Sequence, residues 1–149
     1  MPNDVGNEIA DALGVLLRRS ARAQLYERLT EGLGEAVDDV TYPVLSGLAR
    51  TGPCSAADLA DEIGLDRSGV TRRATRLEAA GLLRRDADPA DRRATLLTLT
   101  DAGQQVVEAT RQRLAAHIEA SLASWPADEA RAFARALHRF VTGGLLGTG

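Results

Sequence analysis

The chain has 149 residues, 44% of them apolar and 26% charged, and its 18 basic and 21 acidic side chains leave a net charge of −3. That length holds one domain with a real core, and the ordinary apolar share excludes a disordered chain. All the bases are arginine, so Schiff-base and phosphate-loop lysine chemistry are excluded as well.

Residues Met1 to Asp11 carry acids and no base, unlike the start of a signal peptide. No run approaches the ~20 apolar residues of a membrane span, so a cytoplasmic protein with no membrane contact is expected. Residues 8 to 30 predict one helix, with Ile9, Leu13, Leu16 and Leu17 on a stripe that Leu25 and Leu29 widen. Gly32 and Gly34 end it. Thr41 and Pro43 open a short helix with Val44, Leu45 and Leu48, and Gly52-Pro53 breaks it. Ser55-Ala-Ala-Asp58 is close to a capping box and starts a helix carrying Leu59, Ala60 and Ile63. Gly64 turns the chain, and Asp66 stands where it can cap the next helix, residues 66 to 80.

That helix has two unlike faces. Ala74 and Leu77 fall within about 40° of Val70 at ~100° per residue, a narrow stripe for burial. Ser68, Thr71, Arg72, Thr75 and Arg76 fall opposite, with Arg67 and Arg73 flanking the stripe. Gly81 follows as a helix stop, with Leu82 placed to pack back on the last turn. Residues 82 to 85 and 93 to 99 predict two strands, with Thr95, Leu97 and Leu99 on one face. Asp86 to Asp91 between them is turn chemistry. Thr100 caps a long helix to about Ser124, with Val106, Val107, Thr110, Leu114, Ile118, Ser121 and Trp125 on one side. Pro126, Asp128 and Glu129 start a last helix, where Ala130, Phe133, Ala134, Leu137, Phe140 and Val141 keep helical spacing. From Gly143 a frayed tail is expected. The order is four helices, a hairpin and two helices. Two short helices joined by a glycine turn and followed by a hairpin predict a mainly α winged helix-turn-helix. Residues 35–100 form that lobe. Residues 1–34 and 101–149 form a helical dimerisation region, because their amphipathic helices need a partner for faces that one small lobe cannot cover.

The whole-chain charge hides a division. Residues 66 to 100 hold eight arginines and five acids, a net +3; the remainder holds ten and sixteen, a net −6. A basic helix and hairpin in an acidic chain is an electrostatic footprint for phosphate. Enzyme chemistry finds no support: Cys54, His117 and His138 have no metal-ligand spacing, and no nucleophile elbow or dinucleotide-binding glycine pattern is present. No cofactor is expected.

Asp88-Pro-Ala-Asp-Arg-Arg-Ala-Thr-Leu-Leu-Thr-Leu-Thr-Asp-Ala-Gly103 resembles the wing signature of MarR-type transcriptional regulators, with Asp91, Arg93, Leu99, Thr100 and Gly103 in the signature places. The run Asp58 to Arg72, ending in Leu77-Glu-Ala-Ala-Gly-Leu-Leu, is similar to the family's helix-turn-helix. The resemblance implies a homodimer on double-stranded DNA, with recognition helices in successive major grooves of a pseudo-palindrome and wing arginines in the flanking minor groove. It also implies a repressor released by a small aromatic or phenolic effector. Gly69 and Arg73 depart from the family's usual helix-tolerant and apolar residues.

The recognition-helix candidates are therefore Arg67, Ser68, Thr71, Arg72, Arg73, Thr75 and Arg76. The wing candidates are Arg84, Arg85, Asp91, Arg92 and Arg93. Arg92 and Arg93 meet DNA or pair with Asp86, Asp88 or Asp91, and both can hold, with Asp91 orienting one arginine while the other, Arg93 being favoured, enters the groove. Cys54, beside a helix start, is a candidate redox site; its plainer reading is a small packing residue. The alternative function is a winged-helix module for protein–protein interaction without DNA binding.

Overall fold

The computed structural model describes residues 3–146. Its elements are α1 (Asn3–Leu16), α2 (Arg19–Thr30), α3 (Tyr42–Thr51), α4 (Ala56–Ile63), α5 (Arg67–Ala79), β1 (Leu83–Ala87), β2 (Thr95–Leu99), α6 (Asp101–Ser121) and α7 (Ala127–Phe140). The helix expected over residues 8 to 30 is two helices. Arg18 adopts an extended backbone, φ −60° and ψ 134°, and makes no capping hydrogen bond. No proline marks this break. Gly14, in the last turn of α1, only weakens the helix locally.

The core forms where α3, α4, α5 and the hairpin meet. Val44, Leu45, Leu59, Val70, Ala74, Leu77 and Leu83 are buried there. The stripe expected on α5 is thus the buried one. Ser55 caps α4 by accepting the Asp58 amide at 3.1 Å, and Gly64 ends it in the left-handed conformation. At the end of α5, Gly81 has φ 75°, its amide reaches Glu78 O, and the Leu82 amide reaches Leu77 O. This Schellman arrangement turns the chain directly into β1.

β1 and β2 pair antiparallel, with Leu83 opposite Leu99 and Ala87 opposite Thr95. Leu97 and Leu99 are buried, but Thr95, expected beside them, is exposed because the hairpin has left the core by that register. Cys54 adds a third short rung: its backbone exchanges two hydrogen bonds with Leu97. Thr100 caps α6, accepting the Gly103 amide at 3.1 Å and donating to Gly81 O at 2.6 Å. A Cβ at Gly103 would lie 2.0 Å from the Leu82 carbonyl oxygen, so only glycine lets α6 approach the end of α5 this closely. The signature glycine therefore has a steric cause.

The chain groups into two units, one up to Gln112 and one from Arg113. In the first, Tyr26 and Tyr42 rings lie 4.7 Å apart, and burial raises the Tyr42 hydroxyl pKa. In the second, Trp125 packs against Phe133 at 5.4 Å. α6 ends at Ser121, three residues short of the expected stop. α7 buries no residue, although its apolar spacing is regular. After it the chain stays coiled over Val141–Leu145, with a kink at Gly144 (φ −122°, ψ −107°), where a frayed tail was expected. Residues 1–2 and 147–149 of the expected dimerisation region lie outside the described residues. Among the described residues no helix is long and apolar enough to cross a membrane, and no group of three or more His, Cys, Asp or Glu side chains is placed to hold a metal ion.

Candidate nucleic-acid interface

With Val70, Ala74 and Leu77 buried, α5 must present its opposite side to solvent. Arg67, Ser68, Thr71, Arg72, Thr75 and Arg76 are exposed there. Asp66 stands at the N-cap with extended backbone but does not cap through its side chain. Its carboxylate accepts the Ser68 hydroxyl instead. That bond, with help from the Arg72 charge, lowers the Asp66 pKa. Thr71 and Thr75 donate their hydroxyls to carbonyls one turn back, Arg67 O and Thr71 O, each at 2.9 Å. The Thr71 oxygen keeps its lone pairs for a base or amino-group donor.

The wing meets this helix along one edge. A cleft of about 420 Å³ is lined by Ser55, Arg67, Thr71, Arg85, Arg93 and Thr95, with the first residues of α4 and no carboxylate. Three elements converge on it: the start of α4, the exposed edge of α5 and the open end of the hairpin. The first backbone amides of α4 carry the positive end of its dipole, so the cleft combines guanidinium charge with amide donors, which suits a phosphate. Ser55 and Thr95 belong to this cleft, and sequence reasoning missed both as site residues. Ser55 was legible only as a cap, and Thr95 only as a strand residue.

The arginines divide by what they already hold. The guanidinium groups of Arg67, Arg92 and Arg93 have no hydrogen bond or ion pair among the described residues, and all three side chains are exposed. The loop carboxylates do not pair with the wing-tip arginines. Asp91 accepts the Arg93 amide at 3.0 Å, Asp88 accepts the Ala90 amide at 2.9 Å, and Asp86 pairs with Arg84 at 2.9 Å. Asp91 thus shapes the backbone that carries Arg93 and leaves the guanidinium free.

Arg85, Arg73 and Arg76 are engaged. Arg85 reaches from β1 to Glu78 Oε1 at 2.6 Å and to Thr75 Oγ1 at 3.0 Å, which occupies one of the two lone pairs of the Thr75 hydroxyl and ties the wing to α5. Arg73, half-buried, donates through Nε to Val40 O and through Nη1 to Gly69 O, both at 3.0 Å. Arg76 Nη2 donates to Glu35 O at 2.8 Å and to Asp38 Oδ2 at 2.6 Å. Residues 35–40 were not singled out by sequence reasoning. The available signal was Asp38-x-x-Thr41: Asp38 Oδ1 accepts the Val40 and Thr41 amides, and Thr41 Oγ1 accepts the Asp38 amide.

Cys54 is half-buried, packs against the core and lies 3.5 Å from Thr51 Oγ1. Its placement serves the backbone rung to β2. His117 and His138 are exposed.

A sequence model of the MarR family matches residues 37–94, the segment that holds α3 to the wing. The uncharacterized HTH-type transcriptional regulator YxaD of Bacillus subtilis (strain 168) is 32% identical over 127 residues, 85% of this chain and 86% of that protein. RV1404 from Mycobacterium tuberculosis has a similar structure, with a TM-score of 0.69 at 25% identity over 95% of this chain and 93% of that one. The PcaV transcriptional regulator from Streptomyces coelicolor, solved in complex with its natural ligand, matches with a TM-score of 0.57 at 29% identity over 91% and 90%. A glycine-turned helix pair, a basic wing and relatives that span nearly its whole length agree: the chain belongs to the MarR family of DNA-binding transcriptional regulators, which are not enzymes.

Proposed function

We propose that a homodimer of this chain binds a pseudo-palindromic operator and represses transcription in the cytoplasm by occupying it. The observation that carries this reading is the acid-free cleft between α4, α5 and the wing, with Arg67 and Arg93 unpaired at its edges. Ser68, Thr71 and Arg72 enter the major groove, where a guanidinium fork can read guanine and a hydroxyl either base or phosphate. Arg92 and Arg93 sit at the wing tip, where a narrow minor groove attracts arginine. Two recognition helices in one dimer imply half-sites about one helical turn, ~10 base pairs, apart.

Supporting the dimer, Val5, Ile9 and Leu16 on α1 and Phe133 and Leu137 on α7 are exposed apolar side chains in regular helical register. Release by a small aromatic or phenolic effector is supported by the likeness to PcaV, whose structure holds its natural ligand. An effector acts by favouring a dimer whose helices no longer match the groove spacing.

Operator affinity measured against salt tests the reading. Log affinity is expected to fall steeply and linearly with log salt, and a flat dependence sinks DNA recognition. Arg72→Ala is expected to cost about 1–3 kcal/mol of specific binding and to relax discrimination at one base position. Arg93→Ala is expected to weaken binding through the flanking minor groove, and unchanged binding removes it from the interface.

A further inference from the structure

α5 carries arginines on both sides of its outward face, and the two sides are used differently. At ~100° per residue, Arg67 and Thr71 turn toward the wing, whereas Arg76 and Arg73 lie about 240° and 300° from Val70, toward residues 35–40. Both of these arginines find carbonyl or carboxylate partners in that loop. Arg73 bridges Val40 O and Gly69 O, and Arg76 takes Glu35 O and Asp38 Oδ2 with a single nitrogen.

The loop is built to receive them. Asp38 is locked by two hydrogen bonds, from the Val40 and Thr41 amides to its Oδ1, while the buried Thr41 hydroxyl donates to Ala36 O and accepts the Asp38 amide. One carboxylate oxygen therefore holds the start of α3 and the other holds α5. Burial opposes ionisation of Asp38, but the Arg76 hydrogen bond, the Thr41 and Val40 amides and the Arg76 charge outweigh it and lower its pKa. Gly69 fits the same arrangement. A Cβ there would lie 2.9 Å from Arg73 Nη1 and 2.6 Å from Asp66 Oδ1, so glycine clears the path by which Arg73 crosses its own helix.

We propose that the Arg76–Asp38 pair, with Arg73 on Val40, is a brace that fixes the angle of the recognition helix against the loop between α2 and α3, and that Arg76 is a positioning residue rather than a DNA contact. The brace rests on the DNA-binding reading for its purpose, since a helix held at one angle reaches the groove without first being ordered. It also gives the α2 side of the molecule a polar connection to α5.

The rival is that Arg76 leaves Asp38 and meets phosphate. Asp38→Asn keeps an oxygen to accept the Val40 and Thr41 amides and puts an NH2 donor where Oδ2 accepted Arg76, so it removes the charge and the acceptor that face Arg76. Arg76→Gln removes the other partner. Each is expected to weaken operator binding by about tenfold for a dimer on two half-sites, with the salt slope unchanged and no further loss in the double variant. A lowered slope in Arg76→Gln, by about two for a dimer, identifies a phosphate contact and overturns the brace. Tighter binding in Asp38→Asn overturns it too, because the acid would then be competing with DNA. Arg76→Lys is expected to restore binding, since one ammonium can serve both acceptors that the single nitrogen serves; a bidentate base contact would not be restored.

Amide exchange on the free protein decides the brace without DNA. Faster exchange across residues 67–80 in Asp38→Asn and Arg76→Gln alike, not additive in the double variant and reversed by Arg76→Lys, is the expected result. Unchanged exchange overturns the brace even if the operator is bound, and a flat salt dependence with altered exchange removes DNA recognition while keeping the brace.

Discussion

Asp38 combines an ion pair with the turn that leads into α3 in one carboxylate, so its titration reports on both. Its pKa is lowered from 3.8 in the folded chain, with burial opposed by Arg76, Thr41 and Val40. A depressed carboxylate pKa contributes stability above the unfolded value and loses it as pH falls through the folded one. Denaturant melts of the wild type and of Asp38→Asn are therefore expected to differ at neutral pH, to begin converging as pH falls past 3.8, and to meet only below the lowered folded value. A difference that persists unchanged into acid would show that the carboxylate charge is not what Asn removes. Asp66 shifts in the same direction through the Ser68 hydroxyl, but it is fully exposed, so its contribution is screened. Arg67, Arg92 and Arg93 differ from Arg76 in energetic terms: an arginine already satisfied by a carboxylate must give up that pair before it can meet a phosphate, whereas an unpaired one need not.

Among the elements, the junction of α5, β1 and α6 is where backbone contact leaves least room. Gly103→Ala places a methyl group 2.0 Å from the Leu82 carbonyl, a backbone atom that cannot swing aside. The variant is expected to lose about 1–3 kcal/mol of stability in denaturant melts, typical of overpacking; an unchanged midpoint would mean that α6 can shift at no cost. The sequence pattern already marked this glycine, but its cause lies in a contact with residue 82, beyond local reading. The same boundary runs through the whole lobe. The Val70, Ala74 and Leu77 stripe, the Ser55 cap and the Gly64 and Gly81 turns depend on neighbours a few residues away, and they were legible. Arg73 with Val40 and Arg76 with Glu35 and Asp38 join residues 33 to 41 positions apart, so no periodicity announces them. The helix break at Arg18 was also hidden, because the chain changes direction there without proline or a capping side chain.

For the molecule as a whole, the largest feature left to explain is apolar surface that the single chain does not cover. On α7, Phe133 and Leu137 are 44% and 47% exposed while Arg131, Arg135 and Arg139 take the other side. On α1, Val5 and Leu16 are 65% and 62% exposed. Apolar burial contributes roughly 25 cal/mol per Å², so a second copy laid on these faces gains several kcal/mol from a few such side chains. Charge does not mark these faces: the negative charge outside residues 66 to 100 is concentrated in residues 35 to 65, with six acids and one arginine, whereas residues 1–34 and 101–149 together hold ten acids and nine arginines. Leu137→Glu puts a charge in the middle of the α7 face and is expected to shift the protein from twice its chain mass to 15.8 kDa in sedimentation. Helical circular dichroism should persist, because Leu137 is not part of the buried core. Operator affinity should collapse, since a monomer engages one half-site and loses the effective concentration that links the two. Arg135→Glu, on the opposite side of the same helix, should leave the mass unchanged. If Leu137→Glu still sediments as a dimer and binds the operator normally, α7 is not part of the interface and the partner must be held elsewhere.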